Sequence, residues 1–321
     1  MIKIMRASLC VAVAALALSV TAPSWARPDE AGRLDQKVTG LYQAGKYAAA
    51  LPLAEQSLAI REKELGPDHE KVATSLNNLA ILHYSAGRYA DAEQMYKRAL
   101  AIAEKALGEE HERVATALNN LGELYRTQER YADAEPLLKR SIAIREKVLG
   151  PEHVDIAPAL SNLAAVYSNQ ERYDDAEPLF KRSLAIVEKT RGPNHPDLTI
   201  PLSNLADVYV NKDRYAEAEP LLKRSLAIAE KTLGPDHPNV AQALNNLAAL
   251  YDKQDRPADA ERLLKRSLAV YEKALGPNHP EIVDVLDNLA AFYKEQGRYA
   301  EAAQLAKRSL TIRAKSGSKS I

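Results

Sequence analysis

The chain has one cysteine, Cys10, and one tryptophan, Trp25, in 321 residues, and both fall within the first 26. A lone thiol forms no intrachain disulfide and supplies no cysteine-based metal site, so packing alone must hold the fold together. A charge excess is also missing. Lys+Arg and Asp+Glu both number 43, which leaves no basic surface to attract a phosphate backbone and excludes nucleic acid as the expected partner. Glycine and proline are few, at 13 and 17. Alanine and leucine outweigh β-branched residues, which favours helices over sheet. No apolar run reaches the roughly 20 residues of a membrane span.

The longest apolar run covers about 14 residues from Ala7 and follows the basic Lys3 and Arg6, as in the first two regions of an export signal. Ser24 and Ala26 then frame Trp25 with small residues. Residues 1–26 therefore read as a signal peptide cut after Ala26, which makes the mature protein periplasmic or secreted. Cys10 precedes most of the apolar region, whereas a lipid-attachment cysteine follows it. Removing Lys3 and Arg6 leaves 41 basic against 43 acidic residues, with no cysteine, tryptophan or membrane span in the mature chain.

The remainder is periodic. Gly66, Gly108, Gly150, Gly192, Gly234 and Gly276 recur every 42 residues, and His69 through His279 keep the same step. So do Asn78, Asn120, Asn162, Asn204, Asn246 and Asn288, each followed by a leucine. Within a unit the spacing is helical. Val72, Leu76, Leu79 and His83 form one stripe of a first helix, A. Ala92, Tyr96, Ala99, Leu100 and Ala103 mark a second, B, over Tyr89 to Leu107, closed by the glycine. Pro136, Pro178 and Pro220 fall near the starts of B helices, and Pro158 and Pro201 near the starts of A helices, where slight irregularity without a break is expected. Glu135 with Lys139, and its equivalents Glu177, Glu219 and Glu261 with their lysines, are favourable i,i+4 pairs, so the Lys-Arg ridge reads mostly as a solvated outer face.

One such helix pair cannot bury its apolar stripe alone, so the pairs must stack into an all-α solenoid. The repeats lie near 30–65, 66–107, 108–149, 150–191, 192–233, 234–275 and 276–315, giving about seven antiparallel pairs across 27–315. Ala306 stands where other B helices carry larger residues, as suits a last repeat. A disordered tail is expected at 316–321.

The Leu-Asn-Asn-Leu-Ala-x-Leu-Tyr box at Leu244 to Tyr251, the segment Arg130 to Ser141 and the Gly-Pro-Asp-His-Pro turn resemble tetratricopeptide repeats, in the 42-residue form found in kinesin light chains. His83 and Pro257 replace the two expected tyrosines, and no heptad segment precedes the repeats, so a motor-cargo role is not implied. The resemblance implies a right-handed superhelical solenoid that binds a protein or peptide partner, with the A helices lining its concave side.

Catalysis finds little support. Successive histidines belong to separate repeats, while imidazoles sharing zinc must each bring a nitrogen to roughly 2 Å from the ion. Each sits beside an acid or Asn at a helix start, where it reads as turn and cap chemistry. No hydroxyl is singled out beside a base, and no glycine-rich phosphate loop occurs. The expectation is therefore no metal, no cofactor and no enzyme.

The asparagines lie on a second face of helix A, rotated by about 120° from the apolar stripe. The row around Asn78, Asn120, Asn162, Asn204, Asn246 and Asn288 includes Glu123, Asn169, Asp207, Asn211 and Lys253, together with Thr116, Thr127, Gln242, Asp284 and Glu295. Amides both donate and accept, so such a row suits the main chain of an extended, neutral or slightly basic peptide. The competing reading is that each amide satisfies a neighbouring helix. A spacer or oligomerisation element of the cell envelope, or a regulatory subunit of an enzyme, remain alternatives, and the sequence fixes no oligomeric state.

Overall fold

The computed structural model describes residues 30–317. The segment read as a signal peptide and residues 318–321 lie outside them. The described residues contain fourteen α-helices. The A helices are α1 (Glu30–Gln43), α3 (Glu70–Ser85), α5 (Glu112–Thr127), α7 (Ala157–Asn169), α9 (Thr199–Asn211), α11 (Pro238–Lys253) and α13 (Ile282–Glu295). The B helices are α2 (Tyr47–Leu65), α4 (Tyr89–Leu107), α6 (Tyr131–Leu149), α8 (Tyr173–Arg191), α10 (Tyr215–Leu233), α12 (Pro257–Leu275) and α14 (Tyr299–Gly317). The last helix thus extends two residues into the stretch expected to be disordered.

The chain divides into two compact units, which among the described residues are 30–171 and 172–317. Within each, a helix packs on its neighbours in sequence. In the first unit α1 pairs with α2, α3 with α4 and α5 with α6, and each B helix also packs on the next A helix. The second unit repeats this with α9 on α10, α11 on α12 and α13 on α14. Val72 and Leu76 of α3 meet Ala99 and Ala103 of α4 and Val114 and Leu118 of α5 in one continuous core. Because each apolar stripe is buried by two neighbours, no pair is a self-sufficient unit.

The repeat boundaries follow from local chemistry. The ring Nδ1 of each repeat histidine accepts a hydrogen bond from the backbone N–H two residues on, at 3.1 Å for His69, His111 and His237 and up to 3.4 Å for His279. This satisfies one of the free N–H groups at the start of an A helix. Gly66, Gly108 and their equivalents hold φ near +87 to +90° at the ends of B helices, where a Cβ would be strained. The A-to-B turns need positive φ too. Gly45, Gly87 and Gly297 supply it in three repeats, but Glu129, Glu171, Asp213 and Asp255 hold φ of 56 to 61° in the others.

The prolines act as expected in α7 and α9, which begin with 3₁₀ turns at Val154–Ile156 and Pro196–Leu198 before the α-helix proper. In the B helices the prolines sit deeper. Pro136 is the sixth residue of α6, yet the helix is unbroken. Pro52, Pro136, Pro178 and Pro220 are all exposed, so the carbonyl freed by the missing N–H faces water rather than the core.

A recurring polar clamp joins the repeats. At the end of an A helix a tyrosine hydroxyl donates to a glutamate of the preceding B helix, as in Tyr125 to Glu93 at 3.0 Å, Tyr251 to Glu219 at 3.2 Å and Tyr293 to Glu261 at 3.0 Å. An arginine five residues after the tyrosine stacks on its ring, with the guanidinium 4.0 Å from the Tyr125 centroid for Arg130 and 3.8 Å from Tyr251 for Arg256. The arginine also reaches the same glutamate, at 2.9 Å for Arg130 to Glu93 and 2.8 Å for Arg298 to Glu261. A lysine one turn beyond the glutamate completes the group. A second arginine then ties successive B helices together, as in Arg98 to Glu62 and Arg266 to Glu230, both at 2.6 Å. The Lys-Arg ridge expected to be mainly a solvated face is therefore also the seam between repeats.

The first joint lacks the clamp. His83 replaces the tyrosine and Leu51 occupies the glutamate position; the buried His83 lies 3.5 Å from Asp91. Burial, the largest influence, holds its pKa below the ordinary histidine value.

Hydrogen bonds from Lys265, Arg298 and Tyr293 outweigh desolvation and hold the Glu261 pKa down to about 2. A carboxyl depressed in the folded state stabilises above its unfolded pKa of about 4.3, and that stability is lost as pH falls towards about 2. Thermal or urea unfolding of Glu261→Gln is expected to show a loss of roughly 2 kcal/mol at neutral pH and a flatter decline between pH 5 and pH 2.

Candidate binding face on the A helices

The asparagine row divides into structural and accessible parts. Asn120, Asn162, Asn246 and Asn288 are only 7%, 2%, 1% and 8% exposed. The Asn120 amide donates to the Asn77 side-chain oxygen at 2.9 Å, Asn162 to Asn119 at 3.1 Å and Asn288 to Asn245 at 3.1 Å. In each case the asparagine at the second position of one box bonds the asparagine at the first position of the preceding box. Gln242 donates to Asn246 at 3.1 Å. The Asn120, Asn162 and Asn288 amides knit one A helix to the next, and a buried amide that loses its partner costs about 1–3 kcal/mol. The reading in which each amide serves a neighbouring helix describes Asn120, Asn162 and Asn288, while the Asn246 side chain accepts from Gln242 within its own helix.

The rest of the row meets solvent. Asn78, Asn204, Glu123, Asn169 and Asp207 are half-buried, while Asn211 and Lys253 are exposed. The Asn211 amide donates to the Asp207 carbonyl of its own helix at 2.8 Å. In the first unit Thr74, Asn78 and Thr116 border a cavity of about 430 Å³, closed on other sides by Asp35, Arg61 and Arg113. The A-helix face therefore presents a polar recess with hydrogen-bonding groups of both kinds, beside charges of both signs.

Two features escaped the sequence reading. One is the asparagine at the first position of three boxes, Asn77, Asn119 and Asn245, which accepts the inter-repeat bond. The other is a set of arginines on B helices that reach under this face. Arg61 pairs with Asp35 at 2.5 Å, and Arg313 with Asp287 at 2.5 Å. For the equivalent Arg145 the position 26 residues earlier is Asn119 rather than an acid. Arg145 is 7% exposed, donates to the Thr116 hydroxyl at 3.2 Å, and has Nε and Nη1 buried without partners. The 26-residue spacing from acid to arginine was available as a signal, visible only once the two helices are known to face one another.

Glu123 is the electrostatic exception on this face. Its pKa is raised to about 7, above all by desolvation, with Arg126 and a hydrogen bond from Asn162 only partly opposing it. Its charge is felt by Tyr42 of α1, Tyr84 of α3 and Tyr96 of α4, and the Tyr84 hydroxyl lies 2.9 Å from the Thr127 hydroxyl. A carboxyl raised in the folded state contributes stability that is complete below about pH 4.3 and is lost as pH rises through about 7. The variant Glu123→Gln removes that penalty. Its melting temperature is expected to match wild type at pH 5 and to exceed it by several degrees at pH 8; an equal or lower value at pH 8 contradicts the assignment.

No cluster of three or more histidine, cysteine or acidic side chains placed to hold a metal ion occurs among the described residues. No helix among them is long and apolar enough to cross a membrane.

Comparison with curated protein sequences finds no match. Comparison with solved structures finds a kinesin light chain from Podosopora anserina with nearly identical TPR-like repeats, 27% identical, with a TM-score of 0.56 over 64% of this chain and 97% of that one. The apo form of RapI is similar in fold at 17% identity, with a TM-score of 0.69 over 90% of this chain and 99% of that one. Aspartyl phosphate phosphatase F from Bacillus subtilis is similar at 14% identity, with a TM-score of 0.67 over 88% and 70%. Models of the tetratricopeptide repeat match residues 36–105, 114–155, 155–210, 197–273 and 253–315. With its 42-residue helix pairs, its histidine caps and these matches, the chain belongs to the tetratricopeptide-repeat family, a scaffold for protein–protein interaction.

Proposed function

We propose that this chain is a non-catalytic scaffold that binds an extended segment of a partner protein along its A-helix face, and that it does so outside the cytoplasm after removal of residues 1–26. The observation that carries the reading is the division of the asparagine row. The buried amides fix the spacing of the A helices, and the accessible positions beside them change from repeat to repeat, from Glu123 to Asp207 and from Asn211 to Lys253. A rigid frame with variable polar groups is what selective recognition of an extended chain requires. The basic start, apolar run and small residues at 24 and 26 support export.

The burial of Asn120, Asn162, Asn246 and Asn288 favours a second reading, an envelope spacer in which the row serves only the stack. Affinity capture from an envelope or secreted fraction separates the two. Replacing Asn78, Asn211 and Lys253 together by Ala leaves the ladder intact, so the melting temperature is expected to change by less than about 2 °C, as for surface substitutions. Capture of the partner is expected to fall about tenfold or more, the effect of losing roughly 1.4 kcal/mol. Undiminished capture with unchanged stability contradicts the A-helix face as the binding surface.

A further inference from the structure

The chain contains its own template for holding a guanidinium. In the inter-repeat clamps an arginine lies between a tyrosine ring and a half-buried carboxylate: Arg130 with Tyr125 and Glu93, Arg214 with Tyr209 and Glu177, Arg298 with Tyr293 and Glu261. The half-buried glutamates of these clamps all hold a lysine and an arginine.

Glu123 is half-buried like them, and tyrosines stand near it as they do near the others. It holds no cation. Its hydrogen bond comes from the neutral Asn162 amide, whose other recorded acceptor is Asn119. Arg126, one turn further along α5, forms no ion pair with it and has its Nε buried without a partner. Of the equivalent A-helix positions, one carries the acid Asp207, but four carry the apolar Ile81, Ala165, Ala249 and Ala291, so the stack does not require a carboxyl here. Uncompensated charge in a partly dry site is costly and is normally paired or neutralised.

We propose that Glu123, with Tyr42 and Tyr84 beside it, is a subsite for a basic side chain of the bound segment, an arginine or lysine that completes a clamp the chain leaves open. The inference rests on the A-helix face as the binding surface and names the chemistry it selects. The ligand cation takes the place that Arg130 or Arg298 takes elsewhere, beside a carboxylate and against phenol rings, where cation–π attraction adds to the ion pair. The charged and titratable groups facing the carboxyl are Tyr42 from α1, Tyr84 from α3, Tyr96 from α4 and Arg126 from α5. Arg126 is the one opposing charge. Binding requires ionised Glu123, so affinity should rise with pH through neutrality.

The test uses the full mature chain and two blocked pentapeptides, Ac-Gly-Gly-Arg-Gly-Gly-NH2 and the same peptide with neutral, isosteric citrulline. Titration is followed by NMR shifts of the A-helix amides. The arginine peptide is expected to bind at least tenfold more tightly at pH 8, with the difference shrinking about tenfold by pH 6. Glu123→Gln should abolish the discrimination, Arg126→Gln should increase it several-fold, and the exposed control Glu129→Gln should leave it unchanged. If both peptides shift the A-helix amides equally, the binding face stands and the cation subsite is overturned. If neither peptide perturbs that face at millimolar concentration, the subsite and the groove reading both fail. Discrimination that survives in Glu123→Gln also overturns the assignment.

Discussion

The hydroxyl of a tyrosine, donated to a glutamate in the preceding B helix at Tyr125, Tyr167, Tyr251 and Tyr293, is the contact on which the stacking of these helix pairs depends. Apolar burial supplies most of the stabilisation, since every Leu76- or Leu118-like side chain removed from water contributes roughly 1.5–3 kcal/mol. Burial is non-directional, however, and alanine-rich surfaces slide on one another easily. The clamp is directional. It fixes the end of an A helix against one turn of the neighbouring B helix, with the arginine stacked on the ring setting the third point. Individual exposed ion pairs contribute little, but here the glutamates are mostly shielded and each accepts from several donors at once.

With that seam fixed, the A-helix face divides its labour. Asn120, Asn162 and Asn288 hold the lateral spacing of successive A helices, and the flanking positions vary freely. This changes where recognition resides. The most regular feature of the sequence, the asparagine row, is largely frame; the irregular positions beside it, Glu123, Asp207, Asn211 and Lys253, carry the chemistry that can distinguish one ligand from another. The same regularity makes departures informative. Arg145 stands out because its repeat equivalents Arg61 and Arg313 each hold an acid, and Glu123 because the half-buried clamp glutamates each hold cations.

Much of the fold was legible because it is local. Helical spacing of Val72, Leu76 and Leu79, positive-φ glycines after the B helices and histidines before the A helices depend on neighbours within a turn or two, and the 42-residue step repeats each signal. The B-helix prolines were harder to place, since their tolerance depends on facing water. The site was legible only as a face. Which of two adjacent asparagines donates and which accepts is decided by the next repeat, 43 residues away. The raised pKa of Glu123 arises from burial among tyrosines on three other helices, which no spacing in α5 announces.

A double-mutant cycle at Tyr251 and Glu219 bears most directly on the clamp, because both residues lie in the second unit and their bond is direct at 3.2 Å. Tyr251→Phe, Glu219→Ala and the double variant are compared with wild type by urea unfolding at neutral pH. A coupling energy of about 1–2 kcal/mol is expected for a hydrogen bond to a charged, partly buried acceptor. A coupling indistinguishable from zero, with both single variants as stable as wild type, would show that apolar packing alone sets the stack and would contradict the account.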